Sequence, residues 1–301
     1  MYFRAPISPV ENSSVELMST SLSSRTPSSS GFTIVELLVV IGVISAVIAL
    51  VIQGAGTLRT TAERAREMAA GRALAQAWTS YAMDHLGEVL PGYAAGLDAF
   101  DPLGNRVDVD SSPVAAKRWP WRLTPYLGDD ISSLYSDGQN FRQKGLSTED
   151  NSSMLYEVSV FPSFGMNSIF VGGDENYGGS SDIFTEVFGQ FYVKKLSTVR
   201  RPDRLVVFAT ARSRTDIDSG NSPIYEGFFR ILPPAWSTPI WASEHNEEDP
   251  QSSGMLSDRH QSKVITASVD GRVDLDTISD LRDMRRWSDA ATREDWVLAP
   301  K

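Results

Sequence analysis

The sequence contains no cysteine and only three histidines, which are His85, His245 and His260. Without cysteine there are no disulfides, so an exported domain has to be stabilised by packing, metal binding or assembly. Three scattered histidines form no cluster, and neither a Ser-His-Asp set nor a glycine-rich phosphate loop is visible. The sequence therefore predicts a protein that is not an enzyme.

A basic surface is also lacking. Lysine and arginine number 28 against 38 aspartates and glutamates, which gives a formal net charge of −10. Domains that bind nucleic acid carry a concentrated positive charge, because the phosphate backbone dominates their affinity. We therefore expect no nucleic-acid partner, with a local basic patch at Lys194-Lys195 and Arg200-Arg201 as the alternative.

A third absence is local: no charged residue occurs between Glu36 and the end of an apolar run at Ile52. As an α-helix rising about 1.5 Å per residue, residues 32–52 extend over about 31 Å, which is enough to cross the hydrocarbon core of a bilayer. Lipid offers no hydrogen-bond partners to the backbone, so this segment should be helical. An ionisable group within such a span indicates a function with a specific partner, and Glu36 is that group.

The residues at the start of the run resemble a processing signal. Gly31 and Phe32 precede it directly, and Glu36 is the fifth residue counted from Phe32. This order resembles the type III signal of type IV prepilins and type II secretion pseudopilins. The resemblance implies that a prepilin peptidase cuts after Gly31 and methylates the new amino terminus of Phe32. It also implies that Glu36 neutralises the Phe32 ammonium of a neighbouring subunit during assembly; a plain membrane anchor is the alternative.

Composition and helix signals divide the chain into segments. Gly87 is placed to end the long helix, and Pro91 prevents its continuation. The start codon is either Met1 or Met18. The predicted segments are the transmembrane half of a stalk helix over residues 32–52, its soluble half over 53–86, and an α+β domain over 87–301. The resemblance to prepilins implies that residues 1–31 are a cleaved leader peptide and that the α+β domain is periplasmic or extracellular.

Further segments resemble a pilin-like family that is abundant in planctomycetes and verrucomicrobia. The most specific is His260 followed, after nine residues, by Asp270 and Gly271. This spacing resembles the prepilin-type processing-associated carboxyl-terminal domain. The family often has an aspartate after its central strand, where this chain has Ala209-Thr210. The other similar segments are Tyr81–Gly87 with Pro91, Trp119–Gly128, and Ser163–Asn167 followed by Gly172-Gly173.

Two stretches further along the chain predict strands. Leu205–Ala209 is continuously apolar and predicts a strand buried on both faces or a short core segment. Gly227–Leu232, which ends at two prolines, predicts another strand. Bounded runs of this length, rich in β-branched and aromatic residues, are typical of strands.

The clearest local structure is a hairpin around Asp270-Gly271. These two residues are a preferred type I′ turn, which would place Ser268 opposite Val273. The same register would place Thr266 opposite Leu275. Ten residues of strand separate His260 from Asp270 by about 33 Å, so the pair is no catalytic dyad. We expect His260 to hold the start of the strand through a side-chain hydrogen bond.

Two acidic loops are weak candidates for calcium. Calcium takes six to eight oxygen ligands, and neither loop supplies that number by itself. We therefore expect solvated loops and no cofactor, with calcium as the alternative. The candidate ligands are Asp216, Asp218 and Asn221 in one loop and Asp108 and Asp110 in the other.

These observations together predict a pilin-like α+β fold, with a long N-terminal helix packed on an antiparallel sheet. The function implied is that of a structural subunit in a type II secretion pseudopilus or type IV pilus-like filament. Its partners would be the prepilin peptidase, other pilin or pseudopilin subunits and the inner-membrane assembly platform. The expected location is the bacterial inner membrane, with one span and the globular domain in the periplasm or outside the cell. The alternative is a membrane-tethered surface binding protein that does not polymerise.

Overall fold

The fold belongs to the α+β class, with an apolar N-terminal helix and a four-stranded antiparallel sheet. The chain divides into two compact units, Met1–Gln53 and Gly54–Lys301. The structure, a computed structural model, describes residues 31–101, 104–107, 113–128, 131–135, 151–179, 181–214 and 222–301.

Helix α1 runs over Ile34–Asp84. Its carboxyl end has the backbone that the sequence predicted, because Gly87 takes a φ of +82° and its N–H donates to the carbonyl of Ala82 at 2.8 Å. Leu86 also has a positive φ, of +55°. A left-handed glycine at this position satisfies carbonyls that the last helical turn leaves without partners.

The part of α1 that belongs to the second unit packs into the core. Leu74, Trp78, Tyr81 and Ala82 are buried at the three- and four-residue spacing of one helix face. Gly71 allows close approach on this face, since a Cβ there would lie 3.4 Å from the ring of Phe164. Burial of this face holds this part of the helix against the sheet.

The main sheet has the strand order β1-β2-β5-β6, with every neighbouring pair antiparallel. Strands β2 and β5 form its centre, and all of their residues are buried. Strands β3 and β4 form a separate two-stranded sheet. The strands are β1 Phe164–Met166, β2 Val206–Thr210, β3 Ser213–Arg214, β4 Ile224–Tyr225, β5 Val264–Ser268 and β6 Val273–Asp276.

Short helices connect these strands and cover them. Among the described residues the remaining α-helices are α2 Pro113–Lys117, α3 Pro120–Leu123, α4 Asn151–Val160 and α5 Asp182–Phe188. Single 3₁₀ turns occupy Thr124–Tyr126, Ile131–Leu134, Glu175–Tyr177, Leu196–Thr198, Pro250–Ser253, Asp280–Arg282 and Met284–Arg286.

Of the two predicted apolar strands, one is confirmed and one is wrong. The stretch predicted over Leu205–Ala209 forms the buried strand β2, shifted by one residue. The stretch Gly227–Leu232 forms no strand; only Arg230 makes an isolated bridge, to Met166. Its backbone N–H groups donate instead to carbonyls on three segments: Val160 and Pro162 at and just after the end of α4, Met166 in β1, and Gly254. The run was apolar because it is buried, but no single neighbouring strand runs alongside it.

The hairpin exists, but its predicted turn and register were wrong. Ala267 pairs with Val273 and Ile265 with Leu275, one residue away from the expected register. The loop has three residues, closed by the bond from the Ser268 N–H to the Arg272 carbonyl at 2.9 Å. Only Gly271 has a positive φ, +84°, whereas a type I′ turn needs two such residues.

Hydrogen bonds to a neighbouring segment explain why the loop has three residues and not two. The Val269 N–H donates to the carbonyl of Leu205 at 3.0 Å, and the Asp270 N–H donates to that of Pro202 at 3.1 Å. Three-residue hairpin loops with a left-handed glycine at the last position are a common alternative to two-residue turns. A one-residue change of register exchanges the two faces of a strand, and here it pairs apolar residues with each other.

Candidate functional site

The N-terminus of α1 is closed by a reciprocal pair of side-chain contacts. The hydroxyl of Thr33 and its backbone N–H both donate to Oε2 of Glu36, at 2.8 and 2.9 Å. The Glu36 N–H in turn lies 3.2 Å from the Thr33 hydroxyl oxygen. This is a capping box, whose Thr-x-x-Glu signal in residues 33–36 sequence reasoning overlooked. Glu36 therefore has a local structural role in addition to any role between subunits.

The bond between Gly31 and Phe32 lies ahead of the helix, in backbone with no regular structure. Phe32 is exposed, and nothing lies within 4 Å of where a Gly31 Cβ would be. Exposed backbone outside helices and strands is where proteolysis concentrates. The geometry of this bond is compatible with cleavage.

Ile34–Val51 is the stretch of helix, among the described residues, that is long and apolar enough to cross a membrane. None of it is buried within the protein, and the large side chains from Ile34 to Val51 are exposed. A signal sequence near an amino terminus has the same length and composition. An apolar surface of this extent requires lipid or another protein surface to cover it.

Of the predicted residues His260, Asp270 and Gly271, only His260 meets α1, at Glu67. Glu67 is only 4% exposed, and Arg259 grips its carboxylate with two nitrogens, Nε at 3.0 Å from Oε2 and Nη2 at 2.9 Å from Oε1. The Nε2 atom of His260 contacts the same Oε2. Arg259 Nη1 also donates to Glu226 at 2.9 Å. The two-nitrogen, charge-assisted contact between Arg259 and Glu67 is among the stronger kinds of polar interaction in proteins. We call Glu67, Glu226, Arg259 and His260 the Glu67 cluster.

A strained turn at Gln261 and Ser262 connects Arg259 and His260 of the Glu67 cluster to strand β5. Gln261 and Ser262 both have a φ of +58°, which residues with a Cβ seldom adopt. Arg259 and Lys263 form a bridge across this turn, so His260 faces the helix immediately before the strand begins. Unfavourable backbone of this kind persists where surrounding contacts determine it, and the cluster supplies such contacts.

Asp270 and Gly271 lie at the other end of β5 and do not meet His260. Oδ1 of Asp270 accepts a hydrogen bond from the Arg272 N–H at 2.9 Å, which closes the loop locally. The predicted motif thus separates into a helix contact at one end of β5 and a turn at the other.

The structure also assembles a Ser-His-Asp constellation that sequence reasoning missed. Nδ1 of His245 lies 3.0 Å from the hydroxyl of Ser253, and Nε2 lies 3.4 Å from Oδ2 of Asp258. These three residue types, serine, histidine and aspartate, are those of a hydrolase catalytic triad. Ser253 has no exposed surface, however, so a substrate carbonyl cannot reach its hydroxyl. No sequence spacing identifies such a group, because folding alone brings the three residues together.

A buried ion pair lies elsewhere in the same unit. Oδ2 of Asp174 is 2.7 Å from Nη2 of Arg230 and accepts the Ser168 hydroxyl at 2.8 Å. Burial raises the pKa of the Asp174 carboxyl above its ordinary value, although Arg230 and Ser168 oppose the shift. Arg122, in α3, is a separate buried group, and burial lowers the pKa of its guanidinium to about 10. These groups are enclosed by protein, which favours a structural role for them.

The calcium candidates Asp216, Asp218 and Asn221, with Asp108 and Asp110, lie outside the described residues. Within the part of the chain that the structure describes, no group of three or more acidic or histidine side chains is arranged to hold a metal ion.

Comparison of the chain with family models, with curated proteins and with solved structures found no match in any of the three.

Proposed function

We propose that this chain is a pilin-like structural subunit, processed by prepilin peptidase and assembled through its N-terminal helix into a pseudopilus or type IV pilus-like filament. The observation that carries the proposal is the combination at the start of α1. An exposed Gly31–Phe32 bond precedes the apolar stretch Ile34–Val51 of α1, none of which is buried, and the one charged side chain in that stretch is Glu36.

The charge of Glu36 supports an intermolecular role. Thr33 satisfies hydrogen bonds of the carboxylate, but it supplies no opposite charge. Residues 31–53 contain no lysine, arginine or histidine. A carboxylate in low dielectric is strongly disfavoured unless a cation compensates it. Cleavage after Gly31 would create such a cation, the amine of Phe32, and a neighbouring copy would bring it to Glu36.

The capping box favours a second candidate, a tether that does not polymerise. In that case Glu36 lies at the headgroup level and only closes its own helix. Glutamine also completes a capping box, because its side-chain oxygen accepts the same hydrogen bond. Glu36→Gln therefore removes the charge and keeps the cap, which separates the two roles.

The other partners belong to the same proposal. A processed subunit requires the peptidase, sister subunits and an inner-membrane assembly platform, with the second unit in the periplasm or outside the cell. The burial of Ser253 argues against hydrolysis by the Ser253–His245–Asp258 group, which is consistent with the proposed structural role.

Mass spectrometry of the mature protein tests processing, and we expect an N-methylated Phe32 as its first residue. Cross-linking in membranes tests assembly: Glu36→Gln should insert and be processed like the wild type, yet lose cross-linked oligomers. An intact leader would rule out the prepilin assignment. A Glu36→Gln variant that assembles at wild-type levels would leave only the tether.

A further inference from the structure

The fold leaves two apolar side chains uncovered at the carboxyl end of α1. Met83 is 71% exposed and Leu86, three residues later, is 91% exposed. One and two turns before Met83, the same side of the helix carries Ser80 and Gln76, which are polar and exposed. Leu86 also has a positive φ, which a residue with a Cβ seldom adopts. Neither burial in the core nor backbone preference explains why these two residues are apolar.

Met83 also differs from the other methionines whose side chains the structure describes. Met166, Met255 and Met284 are buried, with exposed fractions of 0%, 5% and 1%. Met68 packs against the core and is partly buried. Within that set, Met83 is therefore the methionine that a dissolved reagent reaches most readily.

The reactive group of this side chain is its sulfur atom. The chain has no cysteine, so methionine thioethers are its only sulfur groups. A peroxide oxidises a thioether in one two-electron step: a lone pair of the sulfur attacks one peroxide oxygen, the O–O bond breaks and an S–O bond forms. The thioether is thereby oxidised to a sulfoxide, and hydrogen peroxide is reduced to water. Because exposure governs susceptibility to this oxidation, Met83 is the favoured position.

We propose that Met83 is a site of reversible oxidation by peroxide. The sulfoxide is polar and the thioether is apolar, so the reaction changes the character of the surface that Met83 shares with Leu86. The core stays intact, because the buried face of this part of α1 carries Trp78, Tyr81 and Ala82. Methionine sulfoxide reductases return a sulfoxide to the thioether, which makes the change reversible. The inference goes beyond the proposed function and does not depend on assembly.

Peptide mass spectrometry of the full chain in detergent, after limited treatment with hydrogen peroxide, tests the proposal. Met83 should be oxidised at least about tenfold faster than Met255 and Met284, because those two side chains are enclosed by the fold. In guanidinium chloride the three rates should converge, since unfolding removes this protection. Treatment of the oxidised, folded chain with a methionine sulfoxide reductase should restore the original mass of the peptide that carries Met83.

Met83→Leu is the matched control variant, because it keeps an apolar side chain and removes the sulfur. A peroxide dose that oxidises Met83 alone should leave the melting temperature of the wild type equal to that of the treated variant. A fall in the wild type only would show that Met83 supports the fold, and would overturn a modification that leaves the core intact. Equal oxidation rates for Met83 and Met255 in the folded chain, or a sulfoxide that the reductase does not remove, would also overturn the proposal.

Discussion

The two parts of helix α1 have the same backbone and opposite surroundings. Between Ile34 and Val51 the large apolar side chains are exposed, whereas Leu74, Trp78 and Tyr81 are buried against the sheet. The second part alternates apolar and polar residues at helical spacing, and the first has no polar face. A helix that is apolar all round and uncovered by its own chain requires an environment that the chain does not supply.

The two glutamates of these parts differ in the same way. Glu36 is held by Thr33, three residues away, while Glu67 is held by side chains almost two hundred residues further along the chain. The first contact needs only a helix, and the second needs the completed fold. Substitutions in the second unit should therefore change folding stability, and matched substitutions in the first should not.

The largest effect is expected at Trp78. Trp78→Ala removes a fully buried side chain from the core and should lower the free energy of unfolding by about 3–5 kcal/mol. The matched change Ile44→Ala, at an exposed position, should leave it unchanged. Denaturant unfolding of the detergent-solubilised chain, followed by tryptophan fluorescence, measures both. Equal losses for the two variants would contradict the division of α1.

A smaller effect is expected at the Glu67 cluster. Glu67→Gln retains the shape of the side chain but weakens charge-assisted bonds to Arg259 and His260, which should cost about 1.5–3 kcal/mol. Glu36→Gln is the control, because its contacts are local and its capping box is preserved. The comparison fails if the two variants unfold at the same denaturant concentration.

Gly271 tests the corrected hairpin loop. Gly271→Val places a β-branched residue at a φ of +84° and should cost about 1–3 kcal/mol through backbone strain. A Cβ there would meet nothing within 4 Å, so steric contact with neighbours does not contribute. Gly42→Val, within the exposed helical segment, should leave thermal unfolding of the second unit unaltered. An unchanged melting temperature for Gly271→Val would reject the left-handed loop.

The smallest effect is a pH dependence from Asp174. Because burial raises the pKa of this carboxyl above its ordinary value of 3.8, the folded chain binds the proton more tightly than the unfolded chain. Its contribution to stability is therefore most favourable at low pH and decreases as pH rises through the raised pKa. Asp174→Asn should remove this decrease, which denaturant unfolding at several pH values from about 4 to 7 would show as a flatter profile.

Local signals accounted for a large share of the fold. Gly87 ends α1 because glycine takes the left-handed conformation at a helix end without the steric cost of a Cβ. The continuous apolar run at Leu205 becomes the buried strand β2. The run at Gly227, apolar apart from Arg230, forms no strand, since its backbone partners lie on three separate segments. An apolar run in the sequence indicates that the segment is buried, but it does not indicate which neighbouring segment forms hydrogen bonds with its backbone.

The amino-acid sequence by itself determined the apolar segment, its single glutamate and the glycine–phenylalanine bond before it, since length, charge and adjacency are properties of the chain. Only the tertiary structure decided the hairpin register, because Leu205 and Pro202 capture the N–H groups of Val269 and Asp270. It also decided that His260 meets Glu67, a contact across 193 residues that no local preference encodes. Contacts of that kind form only when many weak packing interactions together offset the conformational entropy that the chain loses on closing a long loop. No short stretch of residues therefore specifies them.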